Sequence, residues 1–246
     1  MGMRCSCDVC IVIPTYNEVG TIGELVVSLQ ELGEFFRVRI VIVDDGSDDG
    51  TLEVLDGLME RYGNIVLVER GEKLGFGSAL LEGFRTALSL VPEPEFIVSM
   101  DGDLSHDPVE LPSLVGSCGE GVLVIGSRYV EGGAIEGWGL HRRVVSGVAN
   151  FLARRFAGLP VRDCTSGFRC YHADVVRGVG EGWGCSGYDV QIDVLFEAFR
   201  RGFRVREVPI RFSDRRSGVS KLSAMEVWNF IARVISLSRL RLKPFP

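Results

Sequence analysis

The 246-residue chain is poor in lysine: only Lys73, Lys221 and Lys243 occur, so nearly all of its 27 basic side chains are arginine. No run of about 20 consecutive apolar residues is present, and no transmembrane helix is predicted. The N-terminus lacks a long apolar stretch followed by a cleavage site, so no secretory signal is predicted either. A net charge of −6 gives no electrostatic support to a general nucleic-acid-binding role. The seven cysteines are odd in number and scattered, which argues against a disulfide framework and for a reducing, cytoplasmic setting. Cys5, Cys7 and Cys10 have no second pair at zinc-finger spacing, and Cys10 falls inside an apolar run. Ordinary thiols are expected there rather than a metal site.

The remaining composition, 46% hydrophobic and 24% charged, is that of a globular chain long enough for one large, well-filled domain. Its charge is uneven. From Arg200 onward arginine is frequent and the only acids are Glu207, Asp214 and Glu226, a local anion-binding signal on an acidic body.

Short Val/Ile-rich runs alternate with helical patterns through the first half. Strands are predicted at Asp8 to Ile13, Arg39 to Val43, Ile65 to Val68, Phe96 to Met100 and Val122 to Gly126. Helices are predicted from about Thr21 to Glu31, Gly50 to Arg61, Gly75 to Leu88 and Pro108 to Ser117. Continuous rather than alternating apolar runs mark strands buried on both faces. The alternation of strands and helices predicts an α/β, doubly wound, mostly parallel sheet, whose ligands sit at the carboxyl ends of the strands. Three polar clusters fall at that edge: Pro14 to Glu18, Asp44 to Ser47 and Asp101 to Asp103. The second half is more irregular. A Gly-rich loop (Glu131 to Gly139) leads into a helix from Arg142 to about Phe156, followed by a turn-rich stretch from Asp163 to Tyr171. A helix (Asp189 to Arg201), a strand (Arg204 to Phe212), a loop and a last helix from about Leu222 complete the chain. One domain with an elaborated C-terminal half, residues 8–222, is expected to precede a helix and basic tail over residues 223–246.

Asp101 and Asp103 flank one small residue, Gly102. Side chains two apart in an extended segment point the same way, so both carboxylates can face one ligand. Such a pair suits Mg²⁺ or Mn²⁺ with positions left for substrate phosphates. The alternative is a solvated, helix-capping turn, a role that Asp107 before Pro108 fits well. Asp45 is expected to meet a ribose or base, and Asp48 or Asp49 to cap the following helix. Tyr16 and Glu18 are expected to face a nucleotide, with Asn17 and Glu18 also able to cap the first helix.

Together these segments resemble glycosyltransferase family 2, of the GT-A fold, and within it the dolichol-phosphate mannose synthases. The resemblance is carried by Ile13 to Glu18, Val43 to Thr51, Gly75 to Leu80, Met100 to Pro108, Gly126 to Tyr129, Thr165 to Arg169, Glu207 to Ile210 and Asp214 to Leu222. The first-half segments imply nucleotide-sugar transfer; the last two narrow the acceptor to a polyprenyl phosphate. The resemblance implies that Pro14, Tyr16, Glu18, Val43 and Asp45 bind the nucleoside. It implies that Asp101, Gly102 and Asp103 hold the diphosphate and its metal, with Arg128, Arg215 and Lys221 on phosphates. Some relatives carry a metal-ligating Gln where this chain has Ser105, so Ser105 is a weak third ligand. Asp103, Arg128, Arg215 and Lys221 are the expected catalytic set.

The substrates so implied are GDP-mannose and dolichyl or polyprenyl phosphate, with UDP-glucose as the rival donor. A second phosphate contact is expected from Arg142, Arg143 and Ser146. A phosphate monoester is largely dianionic at neutral pH, its second pKa being about 6, so inverting displacement needs no general base from the protein. Positioning and electrostatic stabilisation should carry the rate. Met225, Trp228, Ile231, Val234 and Ile235 recur at helical spacing, and Leu237 to Phe245 mixes apolar with basic residues. This segment is expected to touch a membrane surface from the cytoplasmic side, alone or with an integral-membrane partner. A nucleotidyltransferase would carry a Gly-rich, basic loop after the first strand, which Pro14 to Glu18 lacks. A non-catalytic lipid-phosphate-binding subunit would have no need of Asp101 and Asp103.

Overall fold

The computed structural model describes residues 7–180, 187, 189–214 and 224–241. Strands β1 (Asp8–Thr15), β2 (Arg37–Asp44), β3 (Ile65–Glu69), β4 (Phe96–Ser99), β5 (Val122–Ser127), β7 (Arg169–His172) and β8 (Arg204–Pro209) form one sheet in the order β3-β2-β1-β4-β7-β5-β8. Every neighbouring pair is parallel except those made by β7, which runs antiparallel to both β4 and β5. The two faces explain the unbroken apolar runs. Cys10, Val12, Val41 and Val43 pack with α3 (Phe76–Ser89), α6 (Ala173–Val179) and α7 (Val190–Arg200). The alternate residues Val9, Ile11, Ile13, Ile40 and Ile42 pack with α1 (Ile22–Glu31), α2 (Thr51–Arg61) and α4 (Leu111–Ser117). Gly83 of α3 is needed for this packing: a Cβ there would lie 2.3 Å from Val12 Cγ1.

The predicted strands and helices of the first half are all present, shifted by a few residues at their ends. Two elements differ from expectation. The stretch with a turn-rich sequence ends in β7, at the middle of the sheet, and α6 follows it directly. The reason is Arg169, a charged residue that is fully buried. Its Nε donates to Ser166 O (2.8 Å), Nη1 to Gln191 O (2.8 Å) and Nη2 to Cys164 O (2.9 Å). Burying a cation is tolerable only when its donors are satisfied in this way, and nothing in the local sequence announces it. The strand expected over Arg204 to Phe212 divides after Pro209. Its end, β9 (Arg211–Phe212), pairs instead with β6 (Ala134–Ile135) of the Gly-rich loop. Helix α5 (Leu140–Leu152) continues as a π-helical turn (Ala153–Ala157).

The last helix, α8 (Ala224–Arg241), packs on α5 and that turn, and Val234 and Leu237 enter the core. Leu237, expected in the basic-apolar tail, is therefore a core residue. Trp228, Ile235 and Leu240 are exposed. Among the described residues no helix is long and apolar enough to cross a membrane. No disulfide joins the described cysteines, and Cys10 is buried in the core, where burial pushes its thiol up to about 12. Cys5 lies outside the described residues.

Candidate active site

A cavity of about 580 Å³ opens at the carboxyl edge of the sheet. All three polar clusters reach it: Pro14, Thr15, Tyr16 and Glu18 after β1, Asp45 after β2, and Asp101, Gly102 and Asp103 after β4. Lys73, Gly75 and Phe76, at the start of α3, complete this side.

The acids on this wall are held mainly by main-chain donors. Asp44 closes a turn, accepting from Gly46 N (3.1 Å), Ser47 N (2.8 Å) and Ser47 Oγ (2.6 Å). Asp45 accepts from Leu74 N (3.0 Å) and Gly75 N (2.9 Å) and pairs with Arg70 Nη1 at 2.9 Å. Asp45 thus ties β2 to the loop before α3 while its surface lines the cavity. Of the expected caps, Asp107 is present, accepting from Val109 N (3.0 Å). The capping positions of α2 and α1 are instead Gly50 and Thr21, neither with a side-chain cap, so Asn17 and Glu18 do not cap α1. Asp49 accepts from Thr51 N (3.0 Å) just before α2. Asp48 instead pairs with Asn17 Nδ2 (2.9 Å). Val43 is fully buried in the core and its side chain does not line the cavity; its carbonyl accepts from Thr15 Oγ1 (3.3 Å).

Asp101 is one-third exposed and Asp103 almost buried, with both lining the same cavity. His106 fixes the approach to Asp101. Its ring stacks on Phe168 at 4.9 Å and its Nδ1 accepts the Asp101 N–H (3.1 Å). Burial drives the His106 pKa down to about 4 against the upward pull of Asp103, so the ring is neutral at pH 7. Ser105 does not line the cavity. It is buried, and its N–H donates to Asp103 Oδ1 (3.1 Å), so it is not placed as a third ligand with the pair. Among the described residues no group of three His, Cys, Asp or Glu forms a metal cage. Two hard carboxylate donors with room beside them suit a divalent cation that completes its shell from phosphate oxygens and water.

The opposite wall is basic and apolar. Trp138 lies between Arg128 and Arg142, whose guanidinium carbons are 5.3 Å and 4.2 Å from its ring. Its indole N–H is buried and has no acceptor among the described residues. Arg142 pairs with Asp214 (2.6 Å), and Ser146 shares a hydrogen bond with Tyr129 Oη (2.8 Å). Arg142 and Ser146 line the cavity; Arg143 does not, because its Nε and Nη2 bond to Trp138 O (3.2 Å) and Ile135 O (2.7 Å). Arg128 is nearly buried and makes a bidentate pair with Asp163, Nε to Oδ2 and Nη2 to Oδ1, both at 2.7 Å. Burial alone would raise the Asp163 pKa, but the Arg128 charge and hydrogen bonds hold it below the usual carboxylate range. Asp163 is itself set by Glu207, which accepts from Asp163 N (2.9 Å), Arg162 N (2.8 Å) and Ser127 Oγ (2.7 Å). The Glu-Val-Pro segment thus clamps the loop that orients Arg128. Arg215 and Lys221 lie outside the described residues.

Several cavity residues carry little signal in the sequence. Lys73, one of three lysines, sits 3.9 Å above the Tyr16 ring; its rarity is the signal available. Trp138 and Gln191 carry none, since what distinguishes them is burial without a partner among the described residues.

Residues 10–180 match the family described as Glycosyl transferase family 2. The polyprenol monophosphomannose synthase of Mycolicibacterium smegmatis is 37% identical over 220 residues, 88% of this chain and 82% of that protein. The undecaprenyl-phosphate mannosyltransferase of Micrococcus luteus is 35% identical over 228 residues, 91% and 90% of the two chains. Among solved structures, Mycobacterium tuberculosis glucosyl-3-phosphoglycerate synthase with Mn²⁺, UDP and phosphoglyceric acid superposes with a TM-score of 0.69. The two are 21% identical, and the match covers 96% of this chain and 80% of that one. The same synthase with Mg²⁺ and UDP gives 0.70 at 21% identity, covering 96% and 81%. At that identity the likeness establishes the shared GT-A fold. With its mostly parallel seven-stranded sheet and its match over most of its length, the chain belongs to glycosyl transferase family 2.

Proposed function

We propose that the protein transfers mannose from GDP-mannose to a polyprenyl phosphate, with inversion at the anomeric carbon. The observation that carries this reading is the contrast across one cavity. Paired carboxylates and the nucleotide-facing residues of β1 and β2 form one wall, and Arg142, Trp138 and the apolar side of α5 form the other. Two relatives named for polyprenol monophosphomannose synthesis and undecaprenyl-phosphate mannosyl transfer support both the sugar and the acceptor class.

In this reading Pro14, Tyr16, Glu18 and Asp45 hold the nucleoside, with Val43 contributing only through its backbone. Asp101 and Asp103 would hold Mg²⁺ or Mn²⁺ on the diphosphate; when bound, the ion neutralises charge on the leaving group. Gly102 keeps this turn close to β1: a Cβ there would lie 3.3 Å from Thr15 Cγ2. Arg142 and Ser146 receive the acceptor phosphate, and the Trp138 N–H is a further donor for an anion there. Arg128, neutralised by Asp163, acts mainly as a fixed wall that keeps Trp138 in place. Arg215 and Lys221 are assigned to phosphate by their sequence positions alone. The acceptor arrives ionised, so no residue is assigned as a general base.

The cavity continues into an apolar face. Val144, Val145 and Val148 line it and are exposed; Leu140, Phe151 and Phe156 extend the same helix surface, and Trp228 of α8 is also exposed. His141, Arg143, Arg154 and Arg155 lie among them in sequence. A basic, apolar surface at the cavity mouth suits the interface of an anionic membrane. This reading assigns the membrane-facing part to α5 as well as to the 223–246 segment, beside the transferase unit of residues 8–222.

Incubating the protein with radiolabelled GDP-mannose, polyprenyl phosphate and Mg²⁺ or Mn²⁺ should yield label that partitions into organic solvent. UDP-glucose run in parallel should yield far less. Label in the organic phase from UDP-glucose alone would replace mannose with glucose. No label from either donor would favour a non-catalytic lipid-phosphate-binding role.

A further inference from the structure

Gln191 opens α7 and lines the cavity, yet it is almost completely buried, and neither its Oε1 nor its Nε2 has a hydrogen-bond partner among the described residues. A buried primary amide with both ends unsatisfied is costly, and native proteins keep such groups where something else completes them. Its position narrows what that partner is. A Cβ built on Gly167 would lie 3.4 Å from Asp101 Oδ1 and 3.5 Å from Gln191 Nε2. The amide and the first carboxylate therefore border one small gap over the Gly167 backbone.

The amide's chemistry narrows it further. A divalent cation would accept only from Oε1 and leave the NH₂ group unsatisfied. A phosphate oxygen would take only the NH₂ and face Oε1 with negative charge. A hydroxyl both donates and accepts, so neighbouring hydroxyls on one ring can satisfy both ends at once. In a donor whose diphosphate sits at Asp101 and Asp103, the diphosphate joins two hydroxyl-bearing rings. The ribose belongs, in the proposed reading, to Pro14, Tyr16, Glu18 and Asp45, and the hexosyl ring is left for Gln191.

We propose that Gln191 binds the hexosyl group of the nucleotide-sugar donor through a pair of hydroxyls. In this arrangement Nε2 donates to one hydroxyl, Oε1 accepts from its neighbour, and Gly167 leaves the space in which the ring edge sits. The assignment rests on the donor reading of the cavity and adds to it the residue that reads the sugar. A site that hydrogen-bonds a substrate hydroxyl discriminates strongly against ligands lacking it, because its own polar groups are then left unpaired.

The test compares the full-length wild type with Gln191→Leu and, separately, Gly167→Ala. Dissociation constants for GDP and GDP-mannose with Mn²⁺, and for UDP and UDP-glucose, would be measured by calorimetry, alongside Tm without ligand. For Gln191→Leu the ratio of the nucleotide-sugar constant to the nucleotide constant should rise about tenfold or more, with the nucleotide constant within about twofold of wild type. Its Tm should hold or rise, because an unsatisfied amide is exchanged for an apolar group of similar size. Gly167→Ala should fold, since its Cβ meets only ordinary contacts, and should raise the same ratio by filling the gap. An unchanged ratio in Gln191→Leu would overturn the inference. So would equal loss of nucleotide and nucleotide sugar, which would move Gln191 to the diphosphate, or a lowered Tm with both affinities reduced, which would make it structural. Wild-type preference for UDP-glucose would instead overturn the mannose reading, and the Gln191 ratio would then be read with UDP and UDP-glucose. A wild type that binds no nucleotide sugar would overturn both.

Discussion

The two walls of the cavity hold their charged groups by opposite means. On the β1, β2 and β4 side, acids are fixed mostly by main-chain N–H groups: Asp44 by residues 46 and 47, Asp45 by residues 74 and 75, Asp103 by residue 105. On the α5 side, arginines are fixed by acids and aromatic faces: Arg128 by Asp163, Arg142 by Asp214 and Trp138. The donors to Asp44 and Asp103 come with the local turn and depend little on distant parts of the chain. Asp45 is the exception on this wall, bonded to residues 74 and 75 and paired with buried Arg70. Side-chain pairs join segments far apart in sequence, and a buried pair leaves an uncompensated charge if one partner is lost. The first wall should therefore tolerate substitution in its fold and fail in its chemistry; the second should be the more fragile in its fold.

The largest effect is expected at the buried pair. Asp163→Asn should lower unfolding free energy by about 3–5 kcal/mol, measured by urea denaturation at pH 7. The folded-state pKa of Asp163 lies below its unfolded value of about 3.9, so its contribution is present above about pH 4. It is lost as the pH falls through the folded-state pKa. The gap between wild type and variant should consequently narrow in acid; a constant gap would break the comparison.

Next in size, Asp101→Asn should reduce kcat/KM by about 100-fold or more while leaving Tm near wild type, because this side chain is one-third exposed. Chelating the divalent ion should cost the wild type a similar factor and the variant far less. A variant as unstable as Asp163→Asn would erase the proposed difference between the walls.

Arg142→Ala should raise KM for the polyprenyl phosphate about tenfold with little change in KM for the donor. Equal effects on both substrates would place Arg142 on the donor diphosphate instead. Smaller still, replacing Leu140, Phe151 and Phe156 together by serine, which leaves the cavity lining intact, should weaken binding to anionic vesicles several-fold and leave activity on a short-chain, water-soluble acceptor unchanged. Cutting the chain after Arg241 offers the complementary experiment, since it removes Lys243 and Phe245 of the tail while keeping Leu237 in the core. If the tail cut releases the protein and the α5 changes do not, the membrane contact belongs to the tail alone.

The difference between the walls also explains how much of the molecule is legible in its sequence. The Asp44 and Asp103 turns, the Asp107 cap and the two-sided strands depend on neighbours within a few residues, and each can be read locally. Arg169, Asp163 and Gln191 depend on partners brought together by folding. A buried arginine makes β7 look like a turn, and the Asp163 pair, which occupies Arg128, joins residues 35 apart. Arg143 is expected at a phosphate but bonds to two carbonyls of the preceding loop, which its sequence position does not reveal. Val43 and Ser105 fall in motif segments, yet pleating and burial turn their side chains away from the cavity lining.

The reversed strand β7 has a consequence for how this architecture can diversify. Because it runs against its neighbours, its first residue, Arg169, stands beside Ser99, the last of β4, with no crossover helix needed to bring the two ends together. The loop that precedes β7 is thereby delivered to the same rim as the loops after β1, β2 and β4. In the proposed reading, the loops after β1, β2 and β4 hold the nucleotide and its diphosphate. The stretch between β5 and β7, with Trp138, Arg142 and Ser146, receives the acceptor, and Gln191, beyond β7, returns to the donor sugar. Reversing one strand thus lets a single rim draw on separate stretches of chain, so the stretch between β5 and β7 can change with a new acceptor without redrawing the residues that hold the nucleotide.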